Sequence, residues 1–219
     1  MTERLIIRDD GDVATREIAE FEASRREALK RGLALTGGVL SASSIPLLLA
    51  VRNAFAAASG DATVLQGAID LEQVAVFSYQ AAYRSGVLSP AFRSVARKFA
   101  GQEQEHASAL IKALAEVGGG PPPPKPSRAT EVDAAVGRLG IAKGLSRLKS
   151  EADIATYAIE LETVAVSAYY EAHAKLQNAA LLMASAQIMS NEGQHLVVLR
   201  TVTKRDPVPN AFETGKASK

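Results

Sequence analysis

An all-α fold, a four-helix bundle made of two repeated helical hairpins, is predicted by three features of the 219-residue sequence. Leu71-Glu72-Gln73-Val74-Ala75-Val76-Phe77-Ser78-Tyr79 returns 90 positions later as Leu161-Glu162-Thr163-Val164-Ala165-Val166-Ser167-Ala168-Tyr169. The tetrads Glu103-Gln104-Glu105-His106 and Glu192-Gly193-Gln194-His195 recur with an offset of 89. Between the two copies lies Gly118-Gly119-Gly120-Pro121-Pro122-Pro123-Pro124-Lys125-Pro126, a stretch through which no helix continues. A repeat separated by a breaker reads as one hairpin used twice with a long crossover between the copies.

The elements follow in order. Residues 1–58 read as an export signal. Ser24-Arg25-Arg26-Glu27-Ala28-Leu29-Lys30 has the look of a twin-arginine core, Gly32 to Val51 is moderately apolar, and Ala54-Phe55-Ala56-Ala57-Ala58 offers cleavage near Ala56 or Ala58. An uncleaved membrane anchor is the competing reading, since the apolar run is just long enough to span. From Asp61 to Arg84, apolar residues recur at three- and four-residue steps, and Ser85-Gly86 ends that helix. Ser89-Pro90 opens a second helix that runs to about Val117, with proline in the first turn where it is tolerated. Residues 118–128 are the Pro-rich crossover, and 129–149 are weakly helical, interrupted by Gly137, Gly140 and Gly144. A third helix is expected from about Ser150 to Leu176 and a fourth from about Asn178 to Lys204. Pro207 and Pro209 stop it ahead of a tail over 205–219. The bundle domain is thus 59–204.

Composition narrows the chemistry. Hydrophobic content of 47% supports one sizeable core, and a formal net charge of +1 carries no nucleic-acid footprint. With no cysteine there is no disulfide, no thiolate nucleophile and no zinc–thiolate cage. Any metal site must use oxygen and nitrogen donors, which suits iron or manganese.

Those donors converge by arithmetic. Glu and His three apart share one helix face. Glu72 precedes the turn at Arg84 by about 18 Å of helix rise and Glu103 follows Pro90 by about 20 Å, so the two fall level in an antiparallel pair. Glu162 and Glu192 are likewise nearly equidistant from the turn at Gln177-Asn178. Packing the hairpins together puts Glu72, Glu103, His106, Glu162, Glu192 and His195 in one layer. Four carboxylates in an apolar core are very costly unless neutralised, and two divalent cations balance them.

This arrangement resembles that of the ferritin-like di-metal carboxylate superfamily: one Glu from each of two helices and Glu-x-x-His from each of the others. The resemblance covers nearly all of residues 61–204 and all six ligand positions. Within the superfamily the chain looks like the bacterial exported ferritin-like domain proteins. The resemblance implies that Glu103 and Glu192 bridge two metals while Glu72 and Glu162 are terminal ligands.

Other residues are placed around this layer. Tyr79 and Tyr169 follow Glu72 and Glu162 by seven residues and are expected near the site, bonding the carboxylates, carrying an electron, or simply packed in the core with the hydroxyl satisfied. His173 lies about 16 Å beyond Glu162 and is too far to be a ligand. Glu105 and Glu160 fall off the inward stripe. Gln102 and Asn191 precede the motif glutamates and either orient a ligand or are exposed. Gly193 suggests a close helix approach.

The expected function is an exported protein with two Fe ions that oxidises Fe(II) or reduces dioxygen or peroxide. Two Mn ions in a manganese catalase-like enzyme are the alternative. A non-enzymatic, metal-stabilised envelope protein for stress or desiccation is a third reading. Expected partners are metal ions, dioxygen or peroxide, the twin-arginine export machinery and a second copy in a homodimer.

Overall fold

The computed structural model describes residues 59–215, and the signal and cleavage region over 1–58 lies outside them, as do residues 216–219. The described chain is helical. Helix α1 spans Ser59–Arg84, α2 Pro90–Glu116, α3 Ala129–Arg138, a single 3₁₀ turn Leu145–Arg147, α4 Glu151–His173 and α5 Ala179–Val202. The described residues contain no strand.

Helix ends follow local chemistry. Ser89 caps α2, its hydroxyl accepting from the Phe92 amide ahead of Pro90 at the start of the helix. Ser150 and Asp153 form a reciprocal capping box on α4. Asn178 caps α5, accepting from the Ala180 and Leu181 amides. At the end of α2, Gly118 takes φ +69°, and the Gly119 amide donates back to the Leu114 carbonyl at 2.9 Å. A Cβ on Gly119 would stand 2.2 Å from Leu114 Cδ1, so any larger residue there forces the buried Leu114 side chain to shift. The third bundle helix ends at His173, short of the expected Leu176. The amides of Lys175 and Leu176 both turn back to the Ala172 carbonyl, while the Gln177 and Asn178 amides donate to the buried Asp61 carboxylate on α1.

The two hairpins, α1–α2 and α4–α5, make the most extensive contacts, and α1 against α4 and α2 against α5 join them. Glu72 meets Tyr169 and Tyr79 meets Glu162, so α1 and α4 run antiparallel. Helices α2 and α4 are then parallel, and the chain must return the length of the bundle, about 40 Å, to connect them. The crossover does this. Its 129–138 segment, weakly helical by sequence, is a full helix because Val132 and Val136 are entirely buried, in a cluster with Leu71, Val74, Tyr157 and Leu161. Packing outweighs the weak local propensity there.

Two further apolar clusters fill the bundle. One contains Tyr79, Phe92, Phe99, Ile154, Leu196 and Leu199. The other contains Leu65, Ile69, Leu110, Leu114, Tyr169 and Leu181. Between them lies a layer of buried charge.

Candidate metal centre

The six residues singled out in the sequence come together in that layer, one or two from each bundle helix. Glu72 comes from α1, Glu103 and His106 from α2, Glu162 from α4, and Glu192 and His195 from α5. The four carboxylates and His195 are each no more than 1% exposed. They fall into two groups, Glu72, Glu103, His106 and Glu192 on one side and Glu103, Glu162, Glu192 and His195 on the other. In each group one donor atom per residue lies within 4.8 Å of all the others. Glu103 and Glu192 belong to both groups.

The fit to a cation shows in the contacts. His106 Nδ1 stands 3.0 Å from Glu192, 3.3 Å from Glu103 and 3.4 Å from Glu72. His195 Nδ1 stands 3.1 Å from both Glu103 and Glu192 and 3.4 Å from Glu162. One ring nitrogen carries at most one hydrogen, so it cannot serve three carboxylates. Oε1 of Glu103 and of Glu192 are buried and accept no hydrogen bond, even though an imidazole nitrogen is nearby. Buried oxygens that converge on a point without donors are what a cation completes. All donors are oxygen or imidazole nitrogen, the set that suits iron and manganese.

Protons take the place of cations in the metal-free electrostatics. Burial, together with the charges of Glu103 and Glu192, raises Glu72 and Glu162 well above the usual carboxylate range. Burial also opposes ionisation at Glu103 and Glu192, yet hydrogen bonds from His106 and His195 hold both below that range. Burial alone would lower the imidazoles, but the surrounding carboxylates raise His106 strongly and push His195 up to about 12.

The tyrosines reach across the bundle. Tyr79 donates to Glu162 and Tyr169 donates to Glu72, so each bonds the glutamate of the other hairpin rather than its own. Seven residues along a helix is about 10 Å, too far for a tyrosine to bond its own glutamate. Burial and the nearby carboxylates raise both phenols well above their usual value, so they remain donors. Gln102 also has a partner at the site: its Oε1 accepts from His195 Nε2 at 3.0 Å. Asn191, its counterpart in the second copy, makes no such bond to His106. Phe99 stacks on His195 with ring centroids 3.8 Å apart, a contact sequence reasoning missed because nothing in the motif marks it. His173, Glu105 and Glu160 stay out of both groups. Gly193 does not serve a close helix approach within the chain, since a Cβ there would meet open space.

A family model described as a ferritin-like domain matches residues 60–205, more than half of the chain. No curated protein matches it.

Proposed function

We propose, from the premise that the chain belongs to the ferritin-like domain family, that its buried layer holds two metal ions, iron in the first instance, and oxidises Fe(II) at the expense of dioxygen or peroxide. The observation that carries this reading is the sharing of Glu103 and Glu192 between two overlapping donor groups. When bound, a ferrous pair supplies two electrons, which with two protons take dioxygen to hydrogen peroxide. Glu103 and Glu192, common to both donor groups, would hold both ions, with Glu72 and His106 completing one group and Glu162 and His195 the other. Tyr79 and Tyr169 hold a proton against the outer oxygens of Glu162 and Glu72 and so aim the remaining oxygens inward. The apolar clusters on either side exclude bulk water, which strengthens every charge interaction within the layer.

Residues 24–58 support export by the twin-arginine route. That route carries folded proteins, so metal is loaded in the cytoplasm, where availability rather than intrinsic affinity selects it. Stopped-flow mixing of Fe(II)-loaded protein with oxygen tests the reading, with two Fe(II) oxidised per chain expected. Absence of Fe(II)-dependent oxygen uptake counts against it.

The same donor set supports a manganese catalase-like enzyme equally. Oxygen evolved from peroxide by a manganese-loaded sample, without Fe(II) turnover, selects that alternative. Metal-dependent melting without either turnover selects the structural, stress-protective role.

A further inference from the structure

One helical turn from the charged layer lies a small apolar cavity of about 30 Å³. Ala68, Leu110 and Ile188 line it, and each is four residues from a member of the layer, Glu72, His106 and Glu192 respectively. Four residues of helix rise is about 6 Å. Tyr169 forms part of its wall and donates its hydroxyl to Glu72, so one side chain touches both the cavity and the centre. Val64, Ala68, Ala109 and Ala184 are only half-buried and open the cavity toward the surface.

Its lining contains one free polar group. Ser185 Oγ is buried and finds no partner in the protein, while the Tyr169 hydroxyl is already engaged with Glu72. A buried water needs two to four hydrogen-bonding partners, and this cavity offers one. Peroxide, with two hydroxyls to satisfy, would be buried with polar groups unpaired. Size excludes rings: a cavity that takes up benzene is about 150 Å³. About 30 Å³ is the room of two or three water-sized spheres, which admits a diatomic molecule.

We infer that this cavity is a binding site for dioxygen, entered between α1, α2 and α5 and opening onto the Tyr169–Glu72 edge of the centre. The inference rests on the oxidase reading above and goes further, in selecting dioxygen over peroxide as the oxidant.

Xenon is the apolar probe that tests it without metal. In metal-free protein under xenon pressure, a xenon atom is expected in the crystal beside Tyr169, Ser185 and Ile188. Ala109→Leu and Ala184→Leu fill the cavity independently from α2 and from α5, and either is expected to abolish xenon uptake. Ser185→Ala keeps it. In the Fe(II)-loaded full chain the filling variants are expected to raise the apparent KM for dioxygen about tenfold. Gln187→Leu, on the exposed face of α5, leaves both readouts as they are in the unaltered chain. Failure of xenon to bind the unaltered protein, or an unchanged dioxygen KM in both filled variants, overturns the inference and leaves the oxidase reading standing. Xenon binding lost on filling, in a protein that consumes no oxygen, upholds the cavity and removes the oxidase reading.

Discussion

The two Glu-x-x-His motifs contribute the same donor residues to the buried layer but are not held in the same way. His195 is 1% exposed, stacks on Phe99 and donates Nε2–H to Gln102. The His106 side chain is 13% exposed and has neither support. The positions equivalent to Phe99 and Gln102, 89 residues on, are Ile188 and Asn191. An aliphatic side chain cannot stack on a ring, and asparagine is one methylene shorter than glutamine. Duplication thus preserved the donors while the supporting residues diverged. The deep half is pre-oriented by its neighbours, whereas the His106 half borders solvent.

The sharpest test of this comparison separates shared from private ligands. Glu192→Gln removes a carboxylate common to both groups, and bound metal is expected to fall from two ions per chain to almost none. Glu72→Gln touches only the His106 group and is expected to leave one ion. Elemental analysis after dialysis reads both, and equal losses would break the distinction.

Metal removal and pH come next. Saturating metal at about a thousand times its dissociation constant stabilises by about 4 kcal/mol for each ion held, about 8 kcal/mol for two, or about 20 °C in a chain of this size. The metal-free protein carries the opposite pH dependence. His195 is held at about 12 in the fold against an ordinary 6.5, so its stabilising charge is fully present below pH 6.5 and is lost as pH rises toward 12. Glu72 and Glu162 are raised too and act with the same sign, losing stability as pH climbs above 4.5. Glu103 and Glu192 are depressed; their contribution is present above 4.5 and lost as pH falls. Between about pH 5 and about pH 9 the metal-free Tm is therefore expected to fall, while the manganese-loaded Tm rises because cations replace those protons. Scanning calorimetry of both forms checks the crossing trends.

The smallest effect probes the supporting shell. Gln102→Ala frees His195 Nε2 and is expected to weaken the ion on that side about tenfold. Asn191→Ala is expected to leave both ions within about twofold, since it supports neither ring. Chelator competition measures each, and equal shifts would mean the asymmetry has no consequence for binding.

Much of this site was legible because helices convert sequence spacing into geometry. Glu103 and His106 share a face by their spacing alone, and the distances of Glu72 and Glu103 from their common turn place them level. The repeat then supplied the second half. The tyrosines show the limit of that arithmetic. Their seven-residue spacing put Tyr79 and Tyr169 beside the layer, but the glutamate each one bonds belongs to the opposite hairpin, which no spacing within one helix encodes. The stretch 129–149 was weak by pattern because Gly137, Gly140 and Gly144 dilute the helical signal; burial of its first part, 129–138, against Leu71, Tyr157 and Leu161 decided the matter. Gly193 misled, since a glycine in a helix can equally face a neighbour or open space.

By itself the sequence determined the helical class, the duplication, the crossover and the six donor residues, because each depends on local periodicity or on a breaker that acts where it stands. Only the tertiary structure decided which donors are shared, which imidazole is sheltered, where the tyrosines donate and where an apolar cavity opens beside the charge. Those properties depend on the relative rotation and translation of packed helices. That placement is set by side chains far apart in the chain, filling space together.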